Sequence, residues 1–368
     1  MKQPQALLLV GTRPNLIKIA PIAAALRRAR RVDVQMVHTG QHYDENMSGV
    51  FFAELGIPPP DVTLGVGSGT QAIQVGATME AVERLVNINR PDVLVTVGDV
   101  NSTLAGALVA VKAGIPQAHV EAGLRSGDAS MPEEVNRVVT DRLADLLFTH
   151  SEEANENLRA EGVPEERIRF VGNVMIDTLL HQRPHWQGAG AQALRELPRP
   201  YGVLTLHRPS NVDDPKNLKD ILKALADAAG DLGLIFPVHP RTRRTMPNAL
   251  PPTLRVIPPI GYFAFMDIVE HARFVFTDSG GVQEETTILG VPCLTFRDNT
   301  ERPVTVRHGT NQVIGSDPIG IAPALQKLLN TARRLSDPPP LWDGKAGERI
   351  ARQLEEYLSH PLSLRLSS

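Results

Sequence analysis

Three carboxylates stand where apolar runs give way to helical segments, a placement that suits proton transfer. Asp99 follows the run 93–97 within Gly98-Asp99-Val100-Asn101-Ser102, Glu121 closes the run 117–120, and Glu133 lies in Met131-Pro132-Glu133-Glu134 at the start of a helical pattern. A carboxylate so close to the end of an apolar strand is costly to bury unpaired, so Glu121 is hard to explain as packing. Asp99 has a plainer reading as a helix-start residue, with Asn101 or Ser102 as the cap. If the three runs share one parallel sheet, the three acids reach a single rim fit for acid–base work.

Cations and small residues gather at other run ends. Gly11-Thr12-Arg13-Pro14-Asn15 follows the run 7–10, with Lys18 one turn further on. Glycine permits a tight turn there, and Arg13 and Lys18 set positive charge beside free backbone N–H groups. The alternative is a structural turn carrying a surface arginine. His207 and His239 occupy successive run ends, as Leu206-His207-Arg208-Pro209 and Val238-His239-Pro240. The sharpest element is Asp278-Ser279-Gly280-Gly281-Val282-Gln283-Glu284-Glu285. Ser279, Gly280 and Gly281 open a helix whose N-terminal amides suit a diphosphate, and Glu285 is placed to reach back towards a ribose. Arg302, in Thr300-Glu301-Arg302-Pro303, adds a guanidinium at another strand end. The chain has neither a dinucleotide glycine fingerprint nor P-loop spacing, and no His/Asp/Cys set spaced for a metal, so no cofactor and no metal are expected.

The elements that must position these groups alternate regularly. Apolar runs at 7–10, 34–39, 93–97, 117–120, 146–149 and 168–171 are interleaved with helical patterns at 16–28, 72–87, 102–113, 133–144 and 152–161. The scheme repeats with runs at 203–206, 234–238, 255–257, 274–277 and 293–296 and helices at 217–229, 263–271, 282–289 and 322–330. Continuously apolar strands alternating with helices predict parallel sheets covered on both faces. The expected class is α/β, with two Rossmann-like doubly wound domains, for which 368 residues are ample. The proline-rich stretch 172–200 marks the break, giving domains 1–172 and 173–343, with a C-terminal helix within 344–368 returning to the first.

Bulk properties exclude several classes. A net charge of −3 and 4% aromatic residues argue against nucleic-acid and membrane surfaces. No stretch approaches the ~18 apolar residues of a membrane span, and the first run is too short for a signal peptide and lacks a cleavage site. The single cysteine, Cys293, excludes an intrachain disulfide and reads as a buried strand thiol, which fits a reducing cytoplasm.

Five ordered segments carry a resemblance. Gly11-Thr12-Arg13-Pro14 with Lys18, His119-Val120-Glu121-Ala122-Gly123-Leu124-Arg125, Pro132-Glu133-Glu134 with Asn136-Arg137, Asp278-Ser279-Gly280-Gly281 with Gln283-Glu284-Glu285, and Thr300-Glu301-Arg302-Pro303 resemble the signatures of non-hydrolysing UDP-N-acetylglucosamine 2-epimerases. The resemblance runs from residue 7 to about residue 315. It implies a GT-B arrangement of the two halves across a cleft, a homodimer, and interconversion of UDP-GlcNAc with UDP-ManNAc for cell-surface polysaccharide synthesis. It further implies UDP contacts from Arg13, Arg137, His207, Ser279, Gly280, Gly281 and Glu285, Phe265 near the uracil, and Asp99, Glu121, Glu133 and His207 as the catalytic set. In some members a second UDP-GlcNAc site involves positions matching Gln41, His42 and His239. This chain departs from the common pattern at Asn15, at Pro209-Ser210-Asn211 and at Pro240-Arg241-Thr242, so weak activation and a related acylated UDP-sugar substrate stay open.

Two chemical routes invert C2 of such a sugar. Transient oxidation at C3 needs a nicotinamide, whose fingerprint is missing. Elimination of UDP to 2-acetamidoglucal and its re-addition needs diphosphate stabilisation and acid–base groups near both faces of C2. The rival readings are a GT-B glycosyltransferase, a hydrolysing epimerase that releases ManNAc, and a nucleotide-sugar-binding regulator without catalysis.

Overall fold

The computed structural model describes residues 3–40, 55–195, 197, 199–330 and 337–359. It divides into two compact units, Met1–His181 with Pro340–Ser368, and Gln182–Pro339. The first division therefore falls at 181/182 rather than at 172/173. Helix α6 (Val174–Gln182) stays with the first unit in all but its last residue, because Thr178 donates to the Ile17 carbonyl at 2.7 Å and Asp177 accepts from the Ala346 and Gly347 N–H groups at 3.1 and 2.6 Å.

The first unit is built on strands β1 (Gln5–Val10), β2 (Asp33–His38), β3 (Val62–Thr63), β4 (Val93–Val97), β5 (Gln117–Ala122), β6 (Leu146–Thr149) and β7 (Ile168–Phe170). They form one sheet in the order β3-β2-β1-β4-β5-β6-β7, with every pair parallel. Among its helices are α1 (Arg13–Ala29), α2 (Gln71–Ile88), α3 (Asn101–Lys112), α4 (Pro132–Leu143) and α5 (Glu152–Ala160). Leu7, Leu9 and Leu94 of the sheet meet Val82 and Val86 of α2 and Val109 of α3 in one buried cluster. Strand β3 is only two residues long and half-polar, too short to show in hydrophobic periodicity.

In the second unit β8 (Tyr201–Thr205), β9 (Gly233–Pro237), β10 (Leu254–Ile257), β11 (Phe274–Thr277), β12 (Cys293–Thr295) and β13 (Asn311–Val313) form a parallel sheet ordered β10-β9-β8-β11-β12-β13. Its helices are α7 (Pro209–Val212), α8 (Pro215–Ala229), α9 (Pro240–Arg243), α10 (Tyr262–Glu270), α11 (Gly280–Leu289), α12 (Pro303–Arg307) and α13 (Ile321–Leu329). Phe236, Phe274, Phe276 and Phe296 pack with Leu218, Leu222 and Leu225 of α8 and Leu325 of α13. The last described helix, α14 (Ala346–Ser359), belongs to the first unit and packs along α1.

Each sheet reverses its order once, between β1 and β4 and between β8 and β11. In open parallel sheets the loops at such a reversal leave a crevice beyond the carboxyl ends of the strands. Gly11–Thr12 and Gly98–Val100 flank the first reversal, and His207 and Asp278–Ser279 flank the second.

Cys293 is completely buried in β12, and burial pushes its thiol up to about 12. A thiol reagent at pH 8 should leave the native protein unlabelled and react with one equivalent after denaturation. Fast labelling of the native chain would contradict this packing.

Candidate functional site

At the first reversal, Asn15 joins α1 to β4. Its Oδ1 accepts from the Thr12 N–H at 3.1 Å and the Thr12 hydroxyl at 2.9 Å, while its Nδ2 donates to the Val97 carbonyl at 3.0 Å. One turn on, Lys18 forms a buried ion pair with Glu121. Gly98 sits against this group in the left-handed region, with φ +72°. A Cβ there would lie 3.2 Å from Asn15 Nδ2 and 3.4 Å from Glu121 Oε2, so the loop closes this tightly only with glycine.

Glu121 itself has φ +71°, and the β5–β6 register shifts between Val120 and Ala122. A non-glycine residue in that region carries strain on the order of 1 kcal/mol or more. The shift breaks strand alternation where the carboxylate is displayed, a usual function of such irregularities.

Asp99 receives Arg137 Nη2 at 2.5 Å on its carboxylate and Asn136 Nδ2 at 2.8 Å on its carbonyl. Arg137 also donates to Glu134 Oε2 at 2.8 Å, and the Ser126 and Gly127 N–H groups reach Glu134 at 3.0 Å. Burial raises the Glu134 pKa, but those N–H groups and Arg137 outweigh it and hold the carboxyl below its ordinary value. Glu134 is thus the buried, structural member of the acidic pair. Glu133 is exposed in the first turn of α4, one turn before Arg137 on the same helix. Val100, not Asn101 or Ser102, occupies the N-cap position of α3, because the Asn101 amide is turned to Gln74 Oε1 at 2.7 Å and the Ser102 hydroxyl lies 3.0 Å from that of Thr39.

Below this rim lies fully buried His119, with Nδ1 2.6 Å from Asp141 Oδ1 and Nε2 2.8 Å from the Gly98 carbonyl. Asp141 also accepts from the Gly123 N–H at 3.0 Å and from Arg125 at 2.8 Å. Burial pushes its pKa up, yet His119 and Arg125 leave it lowered overall.

At the second reversal, Asp278 organises the loop. Its carboxylate accepts from the His207 N–H at 3.1 Å, the Arg208 N–H at 2.9 Å and Asn211 Nδ2 at 3.0 Å, and lies 2.9 Å from His207 Nδ1. Despite burial, these partners lower the Asp278 pKa, with the His207 side chain the strongest of them. The His207 side chain is 52% exposed while Asp278 is not exposed at all, so the carboxylate fixes one face of a ring that otherwise meets solvent.

Ser279 is the N-cap position of α11, which leaves the Gly280 and Gly281 amides in its first turn. A Cβ on Gly280 would fall 2.2 Å from Arg302 Nη1, so the guanidinium lies flush against the helix start. Buried Arg302 donates to Glu284 and Glu301 at 2.7 Å, and Arg297 pairs with Glu301 at 2.7 Å. The Arg302 charge is thus shared between two buried carboxylates, and the unpaired amides expected at a helix start are what would attract an anion at this corner.

Glu285 is buried in α11 and accepts from the Tyr262 hydroxyl at 3.3 Å. Half-buried Phe265 is one turn further along α10. Exposed His239 lies two residues beyond β9, just before α9. Gln41, His42 and the Arg13 side chain lie outside the described residues, Arg13 being the first residue of α1. Among the described residues there is no group of three His, Cys, Asp or Glu able to hold a metal, and no helix long and apolar enough to cross a membrane.

The structure thus gathers Lys18, Glu121, Asp99 and Arg137 around the first reversal, and His207, Ser279, Gly280, Gly281 and Arg302 around the second. Asp278, Asp141 and His119 are the organising residues that sequence reasoning leaves unassigned. Asp278 bears the signal that singles out Glu121, an acid at the end of an apolar strand.

Known proteins bear on this arrangement. Residues 24–355 match the family model described as UDP-N-acetylglucosamine 2-epimerase. A UDP-N-acetylglucosamine 2-epimerase of Methanocaldococcus jannaschii is 42% identical, over 94% of this chain and 98% of its own. A UDP-2,3-diacetamido-2,3-dideoxy-D-glucuronate 2-epimerase of Pseudomonas aeruginosa is 37% identical, over 95% and 98%. The crystal structure of the M. jannaschii UDP-GlcNAc 2-epimerase in complex with UDP-GlcNAc and UDP superposes with a TM-score of 0.88 at 41% identity, covering 96% of this chain and 99% of that one.

Burial raises the Glu285 carboxyl to about 8, with Tyr262 opposing and Glu284 adding to the rise. A carboxyl whose folded pKa exceeds its unfolded one contributes stability that is complete below pH ~4.5 and is lost as pH climbs through the folded value. Denaturant midpoints should therefore fall between pH 5 and pH 8.5, and Glu285→Gln should flatten that slope. An unchanged slope in the variant would place the titration elsewhere.

Proposed function

The chain belongs to the UDP-N-acetylglucosamine 2-epimerase family, and from that premise we propose that it interconverts UDP-GlcNAc and UDP-ManNAc by eliminating and re-adding UDP, without hydrolysis and without a nicotinamide. The observation that carries this reading is the pair of carboxylates, Asp99 and Glu121, set around Gly98 at the first sheet's order reversal. Removal of the C2 proton sends its electron pair into a C1–C2 double bond while the C1–O bond breaks towards the diphosphate. UDP then returns to C1 as a proton arrives at the other face of C2. That sequence needs two proton-transfer positions, for which Asp99, Glu121 and Glu133 are the candidates.

The Ser279-Gly280-Gly281 helix start, backed by Arg302, suits the diphosphate. His207, held by Asp278 through Nδ1, presents Nε2 as a hydrogen-bonding group for the departing phosphate. Arg13, Lys18, Arg137, Phe265 and Glu285 complete the assigned UDP-sugar contacts. Lys18 and Arg137 act partly through the acids they neutralise, since each already binds one.

The P. aeruginosa relative favours a second reading, a diacetamido uronate sugar as the substrate. Asn15 fits either, because its side chain is committed to Thr12 and Val97. A cytoplasmic place and a product that feeds cell-surface polysaccharide synthesis belong to the same proposal. The homodimer is part of the same proposal, and its candidate face is the set of adjacent helices α2, α3 and α4, which carry exposed Ile73, Ile88, Val111, Val135 and Val138. Val135→Glu combined with Val138→Glu should convert dimer to monomer in light scattering; an unaltered mass would exclude this face.

NMR of purified protein with UDP-GlcNAc in D2O tests the reaction. Both epimers should accumulate with deuterium at C2, and Asp99→Asn or Glu133→Gln should each slow turnover by the ~10²–10⁴-fold typical of acid–base groups. Product that keeps its original C2 hydrogen would exclude elimination, free ManNAc would indicate hydrolysis, and turnover of the diacetamido sugar alone would favour the second reading.

A further inference from the structure

Behind the Asp99 loop, three buried carboxamides form a single row across three helices. Asn136 of α4 donates from Nδ2 to the Asp99 carbonyl at 2.8 Å and to Asn101 Oδ1 at 3.4 Å. Asn101 of α3 donates from Nδ2 to Gln74 Oε1 of α2 at 2.7 Å, and Gln74 donates from Nε2 to the Gly67 carbonyl at 3.3 Å. Gln74, Asn101 and Asn136 are 6%, 7% and 5% exposed, so water does little to hold them.

The order of donors and acceptors is fixed from both ends, because the Asp99 and Gly67 carbonyls can only accept. Flipping any one amide would bring like groups together. The three dipoles therefore run the same way and strengthen one another in a low-dielectric setting. Arg137 fixes the head of the Asp99 side chain, and the Val120 carbonyl and His119 hold the main chain at Gly98. The amide row adds a hold on the Asp99 carbonyl itself, and ties it to the loop at Gly67.

We propose that Asn136, Asn101 and Gln74 are positioning residues for Asp99. They hold the Gly98–Asp99 main chain at a fixed offset from α2, so the carboxylate meets C2 in one orientation. This rests on the reading of Asp99 as a proton-transfer group. Apolar side chains would pack three helices as well; the row instead ends on the one backbone carbonyl beneath the reactive acid.

A double-mutant cycle tests it. Asn136→Ala should lower kcat for epimerisation roughly tenfold, the worth of about one buried hydrogen bond in the transition state, with UDP affinity by calorimetry within about twofold. Gln74→Met, at the far end of the row, should lower kcat less but in the same sense, and it carries the test if Asn136→Ala does not fold. In an Asp99→Asn background, either substitution should cost nothing further. An equal loss in both backgrounds, or full kcat in folded Asn136→Ala or Gln74→Met, would overturn the proposal. Full turnover in Asp99→Asn alone would instead remove the premise about Asp99 while leaving the row's geometry untouched.

Discussion

A carboxylate taken out of water needs its lost hydration replaced by cations and N–H groups, or it costs several kcal/mol. That requirement organises most of what surrounds both sheet reversals. Glu121 lies below the surface with Lys18 beside it and Asp141 with His119 and Arg125, while half-buried Asp99 is met by Arg137. Asp278 is met by two backbone N–H groups, an asparagine and a histidine ring. Each pairing joins elements far apart in the chain: α1 to β5, the loop after β4 to α4, the loop after β8 to the end of β11. The acids are therefore the rivets that hold these loops to their helices as well as candidates for chemistry. Glu285 is the exception, since Tyr262 alone does not offset its burial and the group stays a neutral acid at pH 7.

The same constraint explains where strain is tolerated. The left-handed backbone of Glu121 would relax if its side chain were free to turn. The buried Lys18 ammonium opposes relaxation, since swinging the carboxylate away would leave that charge alone in the interior. Gly98 closes the space from the other side. Local geometry here is over-determined by neighbours, the condition under which strained residues persist.

The architecture was readable in the sequence because parallel strands covered on both faces are continuously apolar. Runs such as 93–97 and 274–277 stand out whatever lies around them. Strands β3 and β13 carry no such signal, because two or three residues with polar members have no period. The rim was readable for a related reason, as an acid closing an apolar run is conspicuous. What stayed hidden was the division of roles between neighbours. Glu133 and Glu134 are adjacent acids in a first helical turn, and only the fold shows that one faces solvent and the other closes the Ser126–Gly127 turn. Gln74, Asn101 and Asn136 lie in separate helices, and no spacing announces that they meet. Asn101, which looks like a cap, is claimed by a partner 27 residues upstream.

The return of α14 to the first unit has a bearing on how the chain is made. Everything the second unit needs is contiguous, from Gln182 to Pro339, whereas α1 gains its α14 neighbour only after that whole stretch has been synthesised. Domains form as units during synthesis, amino-terminal first when each is continuous. Here the order is inverted at the end: the inserted unit can close while the flank of α1 is still uncovered on the ribosome. Asp177, waiting on α6 for the amides of Ala346 and Gly347, is among the last side chains of the early-made segment to find its partner.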